Sequence, residues 1–329
     1  MSWPGWIDER VRVSAWFAVC LAVGVGLGVQ DIQAEENVVF SDDFNRPDVT
    51  MAAEADAVKL GRGWGLRSDP DSAGKRGGAS LRSGMLWLGG AFGQSGATRT
   101  FAFQDASTWP GYSVILADNP GKITWTFNLR TGQVNPTPVS LSGGTTAVAV
   151  LASGNLDDFQ FKGPCYYIMH GLATDKDPLQ LVKCVHGVRN QDDRRVLISA
   201  GPPFHDLGNE FLSVRATYDP STHQWTLEAR KDGGGRFQPP HEGAMTLLGT
   251  VQDSEHVRVP MRYIGFVSNS NNGANGPLDE VVFDNLRVTV SGGPVSYATR
   301  TFPDPASRSF LLANAAVKIQ RLRMTEQVR

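Results

Sequence analysis

The chain has 329 residues, a formal net charge of −2, 36 glycines and 19 prolines. The length suits one large domain or two small ones. The near-neutral charge argues against a nucleic-acid partner, because such binding depends largely on basic groups meeting phosphates. Glycine and proline at this level punctuate many short strands, the mark of an all-β chain.

Residues 1–34 read as an export signal: Arg10 and Arg12 precede an apolar run over residues 13–29, and Ile32-Gln33-Ala34 supplies a cleavage site. The run is interrupted by glycines and shorter than the ~18 residues of a membrane helix. A cleaved leader is therefore preferred to an uncleaved anchor, and no stable membrane span is expected after cleavage. Cys20 lies inside the apolar run and reads as part of the signal core, not as a lipid-modified residue. Removing the leader leaves Cys165 and Cys184, and export permits a disulfide between them.

Residues 35–292 read as a single domain. A short strand over residues 37–44 opens it. Residues 48–78 are mostly irregular, interrupted by Trp64-Gly65-Leu66, and short strands follow at 85–88 and 97–103. Residues 111–130 predict a hairpin: Tyr112, Val114 and Leu116 alternate with polar or opposite-facing neighbours, Asp118-Asn119-Pro120-Gly121 is a turn, and Ile123, Trp125, Phe127 and Leu129 alternate again. Residues 145–153 are nearly all apolar and predict a central strand.

Residues 164–186 predict another hairpin. Pairing the two strands symmetrically about the loop puts Cys165 opposite Cys184, Tyr167 opposite Val182 and Ile168 opposite Leu181. Opposed residues on antiparallel strands have Cβ atoms roughly 4.5–5.5 Å apart, close enough for a disulfide. A strand over 195–200 comes next. The clearest hairpin is 211–230: Leu212, Val214, Ala216 and Tyr218, then Trp225, Leu227 and Ala229, alternate with Ser213, Arg215, Thr217, Thr226, Glu228 and Arg230. All the apolar side chains fall on one face, as a sheet with one wet side requires. Strands over 246–251, 262–268 and 281–290 complete the domain, and a polar Asn/Gly-rich loop separates the last two.

About fifteen strands in one sheet would curl or split, so two packed antiparallel sheets are expected. Residues 293–329 form a tail. Leu312, Ala315, Ala316, Ile319 and Leu322 fit one helical face, and residues 319–324 also fit an edge strand.

The order of these strands resembles the laminin-G-like and concanavalin A-like jelly-roll sandwiches of secreted bacterial proteins. Ser41-Asp42-Asp43-Phe44-Asn45 is similar to their opening strand, residues 165–169 with 179–183 to their central hairpin, and 214–218 with 225–230 to the next one. Residues 263–266 and 282–288 are similar to their closing strands. The resemblance covers residues 37–290 and implies glycan binding or adhesion, with glycan-cleaving enzymes among the relatives. Fold alone does not decide between these.

Retaining glycoside cleavage needs two carboxyl groups about 5–5.5 Å apart, and jelly-roll glucanases supply them in a Glu-x-Asp-x-x-Glu strand that this chain lacks. The nearest run holds Glu280 and Asp284, which would share a strand face about 7 Å apart at strand spacing; Asp284 reads better as structural. Asp157-Asp158 and Asp192-Asp193 read as solvated loop pairs. No residue set maps onto the relatives that act on keto-sugars. The histidines at 170, 205, 223, 241 and 256 show no catalytic spacing.

A structural calcium between Asp43 (or Asp42) and Asp284 competes with a simple capped turn, and no other cofactor is expected. A zinc site of Cys165, Cys184 and His186 competes with the disulfide. For binding, Ile168 and Leu181 face the core, which leaves Tyr167 and Gln180 on the outer face of their sheet as sugar contacts, with Asn269, Asn271 and Asn272 adding hydrogen bonds. Tyr167 as a cross-strand packing partner of Val182, and the asparagines as turn formers, are the competing readings. Trp125 and Trp225 read as core, and Trp109 as open to solvent. The expectation is a secreted, non-catalytic carbohydrate-binding or adhesion module for extracellular or cell-surface glycan. A glucanase-like or keto-sugar hydrolase-like enzyme of the same fold is the alternative.

Overall fold

The structure is a computed structural model that describes residues 36–52, 54–69, 77–89, 98–131, 145–156, 161–171, 176–188, 192–270 and 281–292. The expected leader and tail, Asp157, Asp158, Asn271, Asn272 and Glu280 lie outside the described residues.

The strands in chain order are β1 (Glu36–Asp42), β2 (Val49–Ala52), β3 (Gly65–Asp69), β4 (Gly78–Arg82), β5 (Met85–Gly89), β6 (Thr98–Asp105), β7 (Ile123–Thr131) and β8 (Thr145–Leu156). They continue with β9 (Phe161–His170), β10 (Leu179–Cys184), β11 (Arg195–Ser199), β12 (Leu212–Asp219), β13 (Gln224–Lys231), β14 (Thr246–Gln252), β15 (Tyr263–Ser270) and β16 (Val281–Ser291). They form two antiparallel sheets. The nine-stranded sheet runs β14-β13-β12-β7-β16-β5-β4-β2, with β1 also paired to β16; the seven-stranded sheet runs β11-β10-β9-β8-β15-β6-β3. This is an all-β, two-sheet jelly-roll sandwich.

The core lies between the sheets and follows the period-two alternation. Trp125, Phe127, Leu129, Val214, Ala216, Tyr218, Trp225 and Leu227 point inward from the nine-stranded sheet and are buried. Tyr166, Ile168, Leu181, Ile264 and Phe266 meet them from the other side. Tyr166 stacks on Trp225 with ring centroids 4.4 Å apart, and Phe266 on Phe283 at 4.2 Å. Aromatic rings of this size dominate the apolar area buried in a core.

The central hairpin has the expected register: Cys165 opposes Cys184, Tyr167 opposes Val182 and Ile168 opposes Leu181. Cys165 and Cys184 form a disulfide with Cα atoms 5.5 Å apart. His186 instead turns to Asp193, Nδ1 to Oδ2 at 2.8 Å, so the three do not make a zinc site.

Three expectations are corrected. Residues 112–116 are not a strand. Asn119, buried, takes over the backbone groups a neighbouring strand would bond: its Oδ1 accepts from Ser113 N at 2.9 Å, and its Nδ2 donates to Ser113 O at 2.9 Å and Leu116 O at 3.2 Å. Residues Leu116–Asp118 close as a 3-10 turn, and β7 pairs with β12 and β16 instead. A Cβ at Gly121 would collide with the carbonyl of Ser291, so glycine is needed where β16 ends against this turn. The described residues of 48–69 are more ordered than expected, holding β2, β3 and a 3-10 helix at Glu54–Leu60. Those strands are short, and their glycine and polar residues show little alternation. Trp109, finally, is buried and stacked on Phe40 at 4.4 Å.

At one end of the sandwich Tyr166 donates to Asp253 at 2.6 Å, and Lys183 pairs with both Asp253 and Glu255. This network ties the β14–β15 connection to the seven-stranded sheet.

Candidate functional site

The two sheets differ on their outer faces. Tyr167 does point away from the main core, but it is fully buried in a second apolar cluster with Phe101, Val148, Val150, Met169 and Val182. It is therefore not an exposed platform for sugar, because apolar neighbours enclose its ring. Gln180 is buried as well, and donates from Nε2 to Ser199 Oγ at 3.2 Å. Asn269 lies near the end of β15, opposite Arg99 and Thr146.

The outer face of the nine-stranded sheet is polar. Its registers place Glu228, Arg215, Thr126 and Arg287 in one row across β13, β12, β7 and β16. The next row holds Thr226, Thr217, Thr124 and Thr289, and on the other side lie Arg230, Ser213, Asn128 and Asp284. These are the wet positions of the same alternation that builds the core.

A strap over residues 232–243 lies on this face. Asp232 is buried, and a buried carboxylate is tolerable only when donors surround it. It has them: Ser213 Oγ at 2.8 Å, Arg230 Nε at 2.8 Å, Gln238 N at 3.0 Å and Asn128 Nδ2 at 3.2 Å. Asn128 Nδ2 also reaches Gln238 O at 3.0 Å, and Arg230 reaches Glu242 O at 2.6 Å. The strap carries His241 over the sheet, where it lines two adjoining cavities. One, about 350 Å³, includes Ser41, Asp43, Arg62, Asn285 and Arg287. The other, about 230 Å³, has Thr124, Thr126 and Thr289 with Arg215, Arg287 and Glu36.

An acidic corner borders the larger cavity. The pairing of β1 with β16 brings Asp42 and Asp43 to Asp284, as expected of first and last strands. Burial pushes the Asp284 carboxyl up to about 7; repulsion from Asp43 and Asp42 adds to this, and the Asn285 N–H opposes it. Two non-glycine residues here, Phe44 and Asn285, hold left-handed φ of 50° and 51°. Asn285 sits where β16 bulges against β7, and its Nδ2 donates to Asn128 Oδ1 at 2.8 Å. Such backbone outliers concentrate at functional sites.

Calcium does not fit this corner. Asp42 is already bound by Arg46 at 2.7 and 3.0 Å, by Trp64 Nε1 at 2.7 Å and by Phe44 N at 2.9 Å. A guanidinium stands where a cation would sit. Asp43 caps its own turn by accepting from Asn45 N at 3.2 Å. Asp42 and Asp43 thus cap this turn, and no group of three or more His, Cys, Asp or Glu that could hold a metal ion occurs among the described residues.

Beyond the strap the face turns aromatic. Trp87, Val282 and Arg130 are neighbours across β5, β16 and β7. Arg130 lies 4.5 Å over Phe211, which meets Phe237 edge-on at 4.9 Å. Trp87, Phe211 and Phe237 are all partly exposed.

Sequence reasoning had marked Arg215, Glu228 and Arg230 as wet-side residues but assigned them no role. It missed Arg287, Thr289 and His241. The one available signal was the glycine- and proline-rich stretch after Lys231, which marks a loop but not where the loop folds back.

No protein-family model matches the chain, and no curated protein matches its sequence. Solved structures do. Peanut lectin is 12% identical, over 76% of this chain and 96% of its own, with a TM-score of 0.40. An endo-1,3-beta-glucanase from Streptomyces sioyaensis is 15% identical, over 78% and 97%, with a TM-score of 0.45. A legume lectin-like domain from Entamoeba histolytica is 14% identical, over 78% and 98%, with a TM-score of 0.40. No helix among the described residues is long and apolar enough to cross a membrane.

Proposed function

We propose that this protein is a secreted, non-catalytic carbohydrate-binding or adhesion module that holds extracellular or cell-surface glycan on the outer face of its nine-stranded sheet. The observation that carries this reading is the pair of adjoining cavities under His241, lined by hydroxyl, amide and charged side chains. Converging polar groups, on a face that elsewhere carries the partly exposed rings of Trp87, Phe211 and Phe237, suit a ligand that offers hydroxyls and C–H faces together. The Cys165–Cys184 disulfide supports an oxidising compartment, at the cell surface, in the periplasm or outside.

A glycan array probed with mature protein, residues 35–329, tests the proposal. The expected result is retention of one glycan class, weakened by His241→Ala and by Trp87→Ala. Failure to retain any glycan would rule the reading out.

One observation favours a hydrolase as the second reading. Asp284 holds its proton to about pH 7 beside the carboxyl of Asp43, and a carboxylic acid poised near neutrality is what a general acid requires. Release of reducing sugar by purified protein, abolished in Asp284→Asn, would move the assignment to that reading.

A further inference from the structure

Resting on the reading that this face holds glycan, we infer that the smaller cavity selects an acidic sugar, gripping a uronate carboxylate or a sulfate ester between Arg215 and Arg287. Thr126 is paired on one side with Arg215 and on the other with Arg287. Two strand spacings put the arginine backbones about 10 Å apart across that threonine, and both side chains line the same cavity of about 230 Å³. Thr126 stands between them, and Thr124 and Thr289 line the same cavity from the next row. A planar guanidinium presents parallel N–H donors that match the paired oxygens of a carboxylate or sulfate.

Each arginine is ion-paired at long range with an acidic neighbour, which leaves its guanidinium able to take a closer acceptor. Glu228 lies 3.5 Å from Arg215 and Glu36 lies 3.7 Å from Arg287, both beyond an ordinary hydrogen bond. Arg287 Nε is shielded from solvent and lacks a partner among the described residues. A shielded N–H without an acceptor is costly, and a ligand oxygen would remove that cost. A neutral sugar hydroxyl supplies one weak acceptor; an acidic group supplies two charged ones.

The same geometry orients the ligand. Asp43 and the Asp284 corner border the larger cavity on the far side of Arg287. There the carboxylates of Asp42 and Asp43 offset Arg62 and Arg287 and accept from hydroxyls, whereas in the smaller cavity Arg215 and Arg287 face the single carboxylate of Glu36. The acidic group thus belongs over Thr126, with neutral hydroxyls directed toward Asp43 and Asn285.

Isothermal titration of mature protein compares a glucuronate-containing oligosaccharide with its carboxyl-reduced form, and sulfated with unsulfated dextran oligosaccharide. The acidic member of at least one pair should bind about tenfold tighter, and which pair shows this identifies carboxylate or sulfate. Arg287→Ala and Arg215→Gln, each confirmed folded by circular dichroism, should bring the ratio of acidic to neutral affinity to about one, whatever either does to neutral affinity; Arg287→Lys should retain part of the ratio, because ammonium lacks the fork. Equal affinity for acidic and neutral forms, or a preference that survives both arginine variants, would overturn this inference and leave glycan binding standing. Absence of binding by every oligosaccharide would overturn both.

Discussion

On β12 and β13 the outward-facing Arg215, Thr217, Thr226 and Glu228 are partly exposed, whereas on β8, β9 and β10 the outward-facing Val148, Val150, Tyr167, Met169 and Val182 are buried. Both sets stand on strands that also feed the shared core. Strict alternation therefore marks a sheet with a free side, and an uninterrupted apolar run marks one with none. In this molecule the free side carries the cavities, and the dry side carries the disulfide and packing.

The sharpest way to break that contrast is to truncate one residue on each face. Tyr167→Ala should cost about 3–5 kcal/mol in urea unfolding, as removal of a buried aromatic ring does. Thr226→Ala, on the polar face, should stay within about 0.5 kcal/mol. Equal losses would mean that the two outer faces are not different in kind.

The next effect belongs to the dry side. Replacing Cys165 and Cys184 with alanine, or reducing them, should cost about 3 kcal/mol, because the bridge closes a loop that the unfolded chain would otherwise explore. The dry face should suffer and the cavities should not: hydrogen exchange should rise on β9 and β10 while β7 and β12 keep their protection. Unchanged stability under reductant would show that the bridge contributes nothing.

Asp232→Ala probes the polar side. It should cost about 2 kcal/mol by leaving Arg230, Ser213 and Asn128 without their acceptor. It should also free the strap, so that proteolysis cuts within residues 233–243 far faster than in the parent protein. A strap that stays protected would mean Asp232 does not hold it.

A pH dependence completes the comparison. The folded chain keeps the Asp284 proton to about pH 7, while an unfolded chain releases it near pH ~4. The folded state then binds more protons than the unfolded between those values, so this group favours folding in acid and that advantage is lost as pH rises from about 4 through 7. Asp284→Asn should match the parent near pH 4 and exceed its stability at pH 8 by up to about 4 kcal/mol, at about 1.4 kcal/mol for each pH unit of that window. Parallel stability profiles across that range would show that Asp284 does not hold its proton.

Much of the fold is legible in residue order. The alternation of Val214, Ala216 and Tyr218 against Trp225, Leu227 and Ala229 gives a hairpin and its inner face, and the spacing of Cys165 and Cys184 gives a register with one partner for each cysteine. The site was legible only in part. Asp43 and Asp284 could be brought together from strand order, but the Trp64 indole that joins the nearby Arg46 guanidinium on Asp42 comes from tertiary contact. Tyr167 could be assigned to the outer face but not found buried, since burial depends on what packs above it. Residues 112–116 alternate like a strand, yet Asn119 claims their backbone groups.

Local order along the chain thus settles which side chains share a face and which strands turn back on one another, because side-chain direction in a strand reverses at every residue. It does not settle which face remains open to water or where Arg215, Thr126, Arg287 and His241 converge. These residues come from β12, β7, β16 and the strap, and only the packing of distant strands sets the distances between them.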